Sequence, residues 1–433
     1  MGLKKKQQLA LNEIKKGNNV FISGPGGVGK SFLINKLREE FGNNTIFLAP
    51  TGIAAINIEG ATIHSTFGFE FGVLGEKQYN KVKEKPYELF ENPQTIKRIV
   101  IDEISMVRVD VFKAIDRQLK HIRKTKKPFG GIQMIVVGDF FQIPPVLVPK
   151  EQVAFEKHGF DSIFCFSDDT WKEANFKTIE LDEIVRQDDE TLVSHLQNMR
   201  SKNGDYHSSI DYFNERVKKP KIDSNNEKPI YLCTTNNTAD RINEKEFSKL
   251  NSKKFKYYAS KFDQIKINPA PYELELKVGT KVLILANTQE YKNGEVGIVT
   301  RLTSNTITVE INDIEHDIER YTWHEYDYVI LDGQLTKIKT GSFTQYPLKY
   351  AWAITIHKSQ GKTLDSAVIS LGNGCFVSGQ LYVALSRVRS IDGLYLKRPI
   401  YNNDLITSSE VKEFYEKNEQ SSGLRKFFDR FIS

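Results

Sequence analysis

Short apolar runs alternate with helical patterns over the first 180 residues: Val20 to Ile22, Ile46 to Ala49, Ile99 to Ile101 and Met134 to Val137 all have buried-strand character. That alternation predicts a parallel sheet with crossover helices. Between the last two runs, Val111, Ile115, Leu119 and Ile122 recur at spacings of four, four and three. They predict one amphipathic helix with Asp110 as its N-cap and a basic outer face. Residues 65 to 92 break the rhythm with Gly68, Gly72, Gly75 and Pro86 among many aromatics, and read as an insertion into the sheet domain.

Residues 203 to 229 are rich in Asn, Asp, Ser and Lys and read as connectors. Buried-strand patterns resume at Ile230 to Thr234 and Val368 to Leu371, which predicts a second α/β unit. Inside it, Val282 to Leu285, Val296 to Leu302 and Ile307 to Ile311 are β-rich, separated by Asn293-Gly294 and Ser304-Asn305 turns with no helical pattern between them. They predict a small antiparallel barrel. No internal repeat is visible.

A chain of 433 residues with 39% hydrophobic and 27% charged residues has material for several packed cores, which excludes a disordered protein. The formal charge of +6 permits a polyanionic partner without requiring one. Cys165, Cys233 and Cys375 are far apart and form no Cys-x-x-Cys pair, so neither a disulfide framework nor a zinc cage is expected. The basic start is followed by Gln7, Gln8 and Asn12 rather than an apolar stretch, and apolar runs stop well short of the roughly 20 residues of a membrane span. A soluble, cytoplasmic protein with no membrane partner is the expectation.

Gly24-Pro25-Gly26-Gly27-Val28-Gly29-Lys30-Ser31 satisfies the G-x-x-x-x-G-K-[ST] pattern, follows a strand and opens a helical run from Phe32 to Leu37. Glycines let backbone N–H groups wrap phosphates, Lys30 reaches the outer phosphates and Ser31 is a Mg²⁺ ligand. Ile99-Val100-Ile101-Asp102-Glu103 is an apolar strand ending in two acids. Taken alone, such an ending is equally an ordinary surface terminus. Downstream of a phosphate loop, Asp102 becomes the metal candidate and Glu103 the base that takes a proton from water. Gly138-Asp139-Phe140-Phe141-Gln142-Ile143-Pro144-Pro145 follows the Met134 strand, and Gln142 is placed to sense a γ-phosphate or stabilise the turn. Mg-ATP hydrolysis is the predicted chemistry. Arg186 and Arg387 are candidates for the positive charge that phosphoryl transfer needs, although composition alone cannot select them.

These motifs, with Ala49-Pro50-Thr51-Gly52-Ile53-Ala54-Ala55, Arg186-Gln187, Thr355-Ile356-His357-Lys358-Ser359-Gln360-Gly361 and Val383-Ala384-Leu385-Ser386-Arg387, stand in the order found in superfamily 1 helicases. Together with the stretch from Met106 to Lys127, the chain from Gln7 to Leu396 resembles the petite-integration-frequency (PIF) branch of superfamily 1B, related to the RecD and phage Dda helicases. The resemblance implies an α/β fold of two RecA-like motor domains, residues 1–180 and 181–433. It makes residues 65–92 a strand-separating wedge and 280–344 an SH3-like barrel inserted in the second motor domain. It also implies that Gln7 contacts adenine, with Gln8 adjacent as the alternative, and that residues 24–31 hold ATP. Ser31 and Asp102 would hold Mg²⁺, Gln142 would read the γ-phosphate, Arg186 and Arg387 would act as fingers and Gly361 would line the cleft. The sequence does not carry the long N- and C-terminal extensions of larger relatives.

Two polar sets are expected to grip single-stranded DNA: Thr51, His64 and Phe67 in the first unit, and Thr355, His357 and Lys358 in the second. Their assignment rests on the resemblance, because Phe67 is equally a core ring and either histidine equally a satisfied structural one. The resemblance further implies 5′-to-3′ movement by a monomer on single-stranded, duplex or forked DNA. It extends to G-quadruplexes or DNA–RNA hybrids as substrates, and to roles in repair, recombination and telomere maintenance. Two other readings stay open at this level: a P-loop ATPase of another class, and a single-strand-binding protein regulated by nucleotide.

Overall fold

The computed structural model describes residues 2–183, 189–217, 229–263, 265 and 267–421. The chain divides into two compact units, one formed by Met1–Ile184, Tyr326–Lys339 and Thr407–Ser433, the other by Val185–Glu325 and Thr340–Ile406. The first contains a six-stranded sheet of β1 (Val20–Ser23), β2 (Thr45–Ala49), β3 (Ala61–Thr62), β4 (Arg98–Ile101), β5 (Gln133–Gly138) and β6 (Lys177–Glu180). Its order is β3-β2-β4-β5-β1-β6 and every pairing is parallel.

Alternation along these strands sends side chains to two separate cores. Val20, Ile22, Val100, Ile135 and Val137 meet Leu33 and Leu37 of the helix Lys30–Phe41. Phe21, Ile46, Leu48, Ile99, Ile101, Met134 and Val136 face the other way, with Phe112, Ile115 and Leu119 of the helix Val109–Ile122. Both faces are covered, as a parallel sheet requires. Each large apolar side chain so buried contributes about 1.5–3 kcal/mol.

The helix Val109–Ile122 starts two residues earlier than expected, with Arg108 rather than Asp110 as the N-cap. Asp110 lies inside the first turn and is fully buried. Its carboxylate binds the Arg108 guanidinium at 2.6 Å and accepts the Leu74 N–H at 2.8 Å, while Arg108 also donates to the Gly72 carbonyl at 2.7 Å. The acid that looks like a cap is therefore a clamp fastening residues 72–74 to this helix. The rest of the 65–92 insertion contains the helices Glu76–Asn80 and Glu84–Phe90, whose Tyr79, Leu89 and Phe90 join the first core.

The second unit holds a four-stranded parallel sheet and three antiparallel sheets. Its strands in chain order are β7 (Ile230–Cys233), β8 (Phe255–Tyr258), β9 (Ser260–Asp263), β10 (Glu273–Leu276), β11 (Lys281–Ile284), β12 (Val296–Leu302), β13 (Ile307–Ile311), β14 (Ile314–Ile318), β15 (Tyr321–Leu331), β16 (Gln334–Gln345), β17 (Leu348–Tyr350), β18 (Ala353–Thr355), β19 (Ala367–Ser370) and β20 (Leu394–Leu396). The parallel sheet runs β18-β7-β19-β20, and the antiparallel strands form β14-β13-β12-β11-β17, β15-β16-β9 and β10-β8. Val282, Ile284, Val299, Ile307, Val309 and Leu348 fill the antiparallel core. The stretch read as connectors contains the helix Tyr206–Asn214, whose Ile210 and Phe213 are buried, so two apolar anchors outweigh its polar composition.

Two segments expected in the second unit pack in the first. The far end of the β15–β16 hairpin, Tyr326–Lys339, is one of them. Its Tyr328 hydroxyl accepts the Phe47 N–H of β2 at 3.1 Å, Asp327 pairs with Lys85, and Lys337 pairs with Glu59 at 3.2 Å. The other is the helix Ser409–Ser421, whose Val411 and Tyr415 belong to the first core. Neither docking is written in a local periodicity, because both depend on partners hundreds of residues away.

Candidate functional site

The carboxyl ends of β1, β4 and β5 carry the predicted phosphate chemistry, where a parallel sheet builds its ligand crevice. β1 runs into Gly24, which adopts φ +146° with the Leu181 carbonyl 2.4 Å from where a Cβ would lie, so no other residue fits. The loop closes at Gly29, left-handed at φ 83°, which is the N-cap of the helix Lys30–Phe41. Lys30 Nζ donates to the Gly24 and Pro25 carbonyls at 2.7 and 2.8 Å, and Ser31 is exposed beside it.

Gln7, rather than Gln8, faces this loop. Gln7 is buried, its Nε2 donates to the Gly29 carbonyl at 3.3 Å and its Oε1 accepts the Lys4 N–H at 3.0 Å. Gln8 is exposed and bonds Asn12 at 3.1 Å. A small pocket lined by Lys4, Gln7, Val28, Leu181 and Asp182 lies alongside.

Asp102 and Glu103 follow β4 directly. Burial, and then the negative charge of Glu103, push the Asp102 carboxyl up to about 7. Glu103 sits in left-handed backbone at φ 50°, a strained conformation for a non-glycine residue and one that collects at functional sites. Two adjacent hard-oxygen ligands under mutual repulsion suit a divalent cation. Among the described residues no group of three His, Cys, Asp or Glu side chains makes a metal cage. The fit is therefore to a cation held by Asp102, Ser31 and substrate phosphates together, as is usual for Mg²⁺. After β5, buried Asp139 accepts from the Phe141 N–H at 3.1 Å and from Gln142 Nε2 at 3.4 Å, which fixes the direction of the Gln142 amide.

In the second unit, Thr355 is buried and caps the helix Ile356–Ser359 through the Lys358 N–H. His357 is half-buried, which holds its imidazole below the ordinary value, and its ring lies 6.3 Å from that of exposed Phe376. Lys358 and Gly361 are exposed. Arg387 is only 1% exposed and donates to the carbonyls of Val383 at 2.7 Å, Lys362 at 3.2 Å and Ser359 at 3.4 Å. Its guanidinium therefore ties the 356–362 segment to the helix Gln380–Leu385, a structural task that sequence reasoning did not assign. Arg186 lies outside the described residues.

Sequence reasoning also missed a lysine cluster. Lys349 is pushed down to about 7 by burial and then by the charges of Lys362 and Lys358, and burial pushes Lys362 down to about 8. The spacing of Lys358 and Lys362 on either side of Gly361 was a signal for two of the three. Lys349 lies on β17, with no local pattern to mark it.

The first strand-gripping set needs one correction. Thr51 is exposed at the N-cap of the helix Gly52–Asn57, and His64 is half-buried, but Phe67 is 0% exposed and stacks on Phe69 and Phe90 inside the core. It offers no face to a base. The accessible ring is Phe71, 93% exposed and stacked at 5.5 Å on His64. Phe67 follows the apolar side of the helix Ile63–Phe67, whereas Phe71 lies past Gly68, where the chain turns outward.

A family model described as PIF1-like helicase matches residues 2–211. The ATP-dependent DNA helicase Pif1 of Campylobacter jejuni is 33% identical over 446 residues, covering 94% of this chain and 96% of that protein. The ATP-dependent DNA helicase PIF1 of Danio rerio is 33% identical over 412 residues, covering 90% of this chain and 60% of that protein. The chain thus spans less than two thirds of the length of the vertebrate relatives it matches. Pif1 from Bacteroides sp in complex with ADP-AlF4 aligns at 35% identity with a TM-score of 0.88, covering 98% of each chain. Bacteroides Pif1 bound to ssDNA aligns at 37% identity with a TM-score of 0.69 and the same coverage. The phosphate loop, the paired acids after β4 and these matches across nearly the whole chain lead to one conclusion: the chain belongs to the PIF1-like helicase family.

Proposed function

We propose that the protein is an ATP-dependent DNA helicase that translocates 5′ to 3′ on single-stranded DNA and opens duplex or forked DNA as a monomer. The observation that carries this reading is the convergence of Lys30, Asp102, Glu103 and Gln142 at neighbouring strand ends of one parallel sheet. ATP lies along residues 24–31 with its base against Gln7, and Lys30 exchanges its loop carbonyls for phosphate oxygens. Mg²⁺, held by Ser31 and Asp102, supplies charge neutralisation at the phosphates. Gln142 orients a water against the γ-phosphorus and Glu103 takes its proton. The water oxygen bonds to the γ-phosphorus as the bond from that phosphorus to the bridging oxygen breaks, giving inorganic phosphate and ADP.

Thr51, His64 and Phe71 form one hand on the strand, with Thr355, His357, Lys358 and the lysines behind them as the other. Phosphate contacts and ring stacking are the two terms that hold single strands. Arg186 and Arg387 couple hydrolysis to movement of the motor domains. For Arg387 this means giving up some of its carbonyl partners when nucleotide binds. Residues 65–92 serve as the wedge. Structured DNA, DNA–RNA hybrids and roles in repair, recombination or telomere maintenance extend the same reading, as does action in the cytoplasm.

The decisive experiment is ATP hydrolysis with and without single-stranded DNA, paired with unwinding of partial duplexes bearing a 5′ or a 3′ overhang. Strong stimulation and unwinding only from the 5′ overhang are expected. Hydrolysis indifferent to DNA would indicate another class of P-loop ATPase, binding without turnover a nucleotide-regulated strand binder, and unwinding only from the 3′ overhang the opposite polarity.

A further inference from the structure

The helix Ser409–Ser421 supplies nothing to the chemistry above, yet it places two rings beneath the nucleotide-binding loops. Phe414 stacks on Phe166 at 4.3 Å and packs edge-on against Phe140 and Trp171. Tyr415 lies nearly parallel to Phe141, with 4.8 Å between ring centres and 14° between planes. Its hydroxyl accepts the Phe140 N–H at 3.3 Å and is 2.7 Å from Ser23 Oγ. The Phe140 amide donates to the phenol oxygen, and in the bond between the two hydroxyls either Tyr415 or Ser23 can donate.

The partners decide what this contact means. Ser23 is the last residue of β1, fully buried and immediately before Gly24, where the phosphate loop begins. Phe140 and Phe141 lie between Asp139 and Gln142. One phenol therefore bridges the origin of the phosphate loop and the loop that carries Gln142. A phenylalanine would serve the packing equally, and a hydroxyl buried this deeply is unfavourable unless both of its bonds are made.

We infer that Tyr415 is a positioning residue for ATP hydrolysis: its hydroxyl holds the end of β1 and the 139–142 loop in one register, so that Gln142 meets the phosphate chain bound at residues 24–31. The inference rests on the phosphate-site reading given above. Gln142 is steadied on one side by Asp139 and, through the Phe140 backbone, on the other by Tyr415. Two neutral hydrogen bonds add little to stability, because each replaces a bond to water in the unfolded chain. A displacement of about 1 Å at a reacting centre, by contrast, can slow a reaction on the order of 100-fold. The effect on rate should therefore exceed the effect on folding.

The test compares Tyr415→Phe with Phe414→Leu, a packing control on the same helix, in the full chain. DNA-stimulated ATP turnover, KM for ATP, thermal unfolding and affinities for ADP and for ADP with aluminium fluoride are measured. In Tyr415→Phe, kcat is expected to fall roughly 5- to 20-fold, within the range for lost positioning. KM and ADP affinity should change by less than about twofold, and the preference for the aluminium fluoride complex should shrink in step with kcat. Phe414→Leu should lower the unfolding temperature at least as much while keeping most of kcat. Wild-type turnover in Tyr415→Phe overturns the inference, as does an equal loss of kcat in Phe414→Leu. A wild-type protein that hydrolyses no ATP would instead sink the phosphate-site reading itself.

Discussion

The carboxyl end of the first parallel sheet is acidic, whereas a basic cluster stands around β17 and β18 of the second unit. After β4 and β5 of the first unit stand Asp102, Glu103 and Asp139, and burial, then the charge of Glu103, pushes the Asp102 carboxyl up to about 7. In the basic cluster stand Lys349, Lys358 and Lys362, and burial, then the charges of Lys362 and Lys358, pushes Lys349 down to about 7. Each cluster is unfavourable by itself, and in the function proposed above a ligand of the opposite sign would relieve it, a divalent cation with ATP in one case and a phosphate backbone in the other. A net charge of +6 does not reveal this separation of acidic and basic groups.

The comparison breaks most visibly at Asp102. Asp102→Asn should cut ATP turnover by at least about 100-fold, because the cation loses an anionic ligand. The raised carboxyl makes its ionised form unfavourable in the folded state, an effect that sets in between the ordinary value of 3.8 and about 7 and is complete above it. The nucleotide-free variant should therefore unfold at a higher temperature than wild type at pH 8, and a lower one would contradict the account of the acidic end.

The aromatic pair in the first strand-gripping set gives the next effect in size. Phe67→Ala should destabilise the first unit by about 3–5 kcal/mol, whereas Phe71→Ala should leave folding intact and weaken single-strand binding by about 1–3 kcal/mol. Denaturant unfolding and fluorescence anisotropy separate the two. Normal DNA binding by Phe71→Ala would remove that ring from the grip.

Lys349→Met sharpens the basic half. A lysine lowered from 10.5 to about 7 binds more protons unfolded than folded between those values, so its destabilising effect is complete below pH 7 and fades as pH rises to 10.5. The variant should gain thermal stability at pH 6 and none above 10.5. Its binding to single-stranded DNA should weaken, with a salt dependence shallower by about one counter-ion or less. Smallest of all, Tyr328→Phe removes the hydroxyl bonded to Phe47 N and should lower stability by about 1 kcal/mol, read by chemical denaturation.

Much of this was legible in the sequence. The runs at Val20, Ile46, Ile99 and Met134 became β1, β2, β4 and β5 within a residue or so, because buried strands in a parallel sheet are locally apolar and bounded by turns. The phosphate loop was legible because its geometry demands glycine and lysine at fixed spacing. Periodicity could not show that Asp110 would be a clamp, since a capping acid and a buried acid differ only in a distant partner, here Leu74 and Arg108. Nor could it rank Phe67 against Phe71, assemble Lys349 with Lys362, or send Tyr328 and Tyr415 back to a sheet formed by the first 180 residues.

The hairpin end at Tyr326–Lys339 bears on self-association as well as on folding. β3 is two residues long, so on the side away from β4 much of β2 has no paired strand, and the Tyr328 hydroxyl occupies the Phe47 amide that would otherwise be open. Exposed strand amides are templates for pairing with another chain. A fragment cut after residue 184 would lose that cover together with Tyr415 and present a bare sheet edge to its neighbours. The compact first unit is thus not a separable piece of chain, and the cover of its sheet edge is written in residues far beyond the last strand of its sheet.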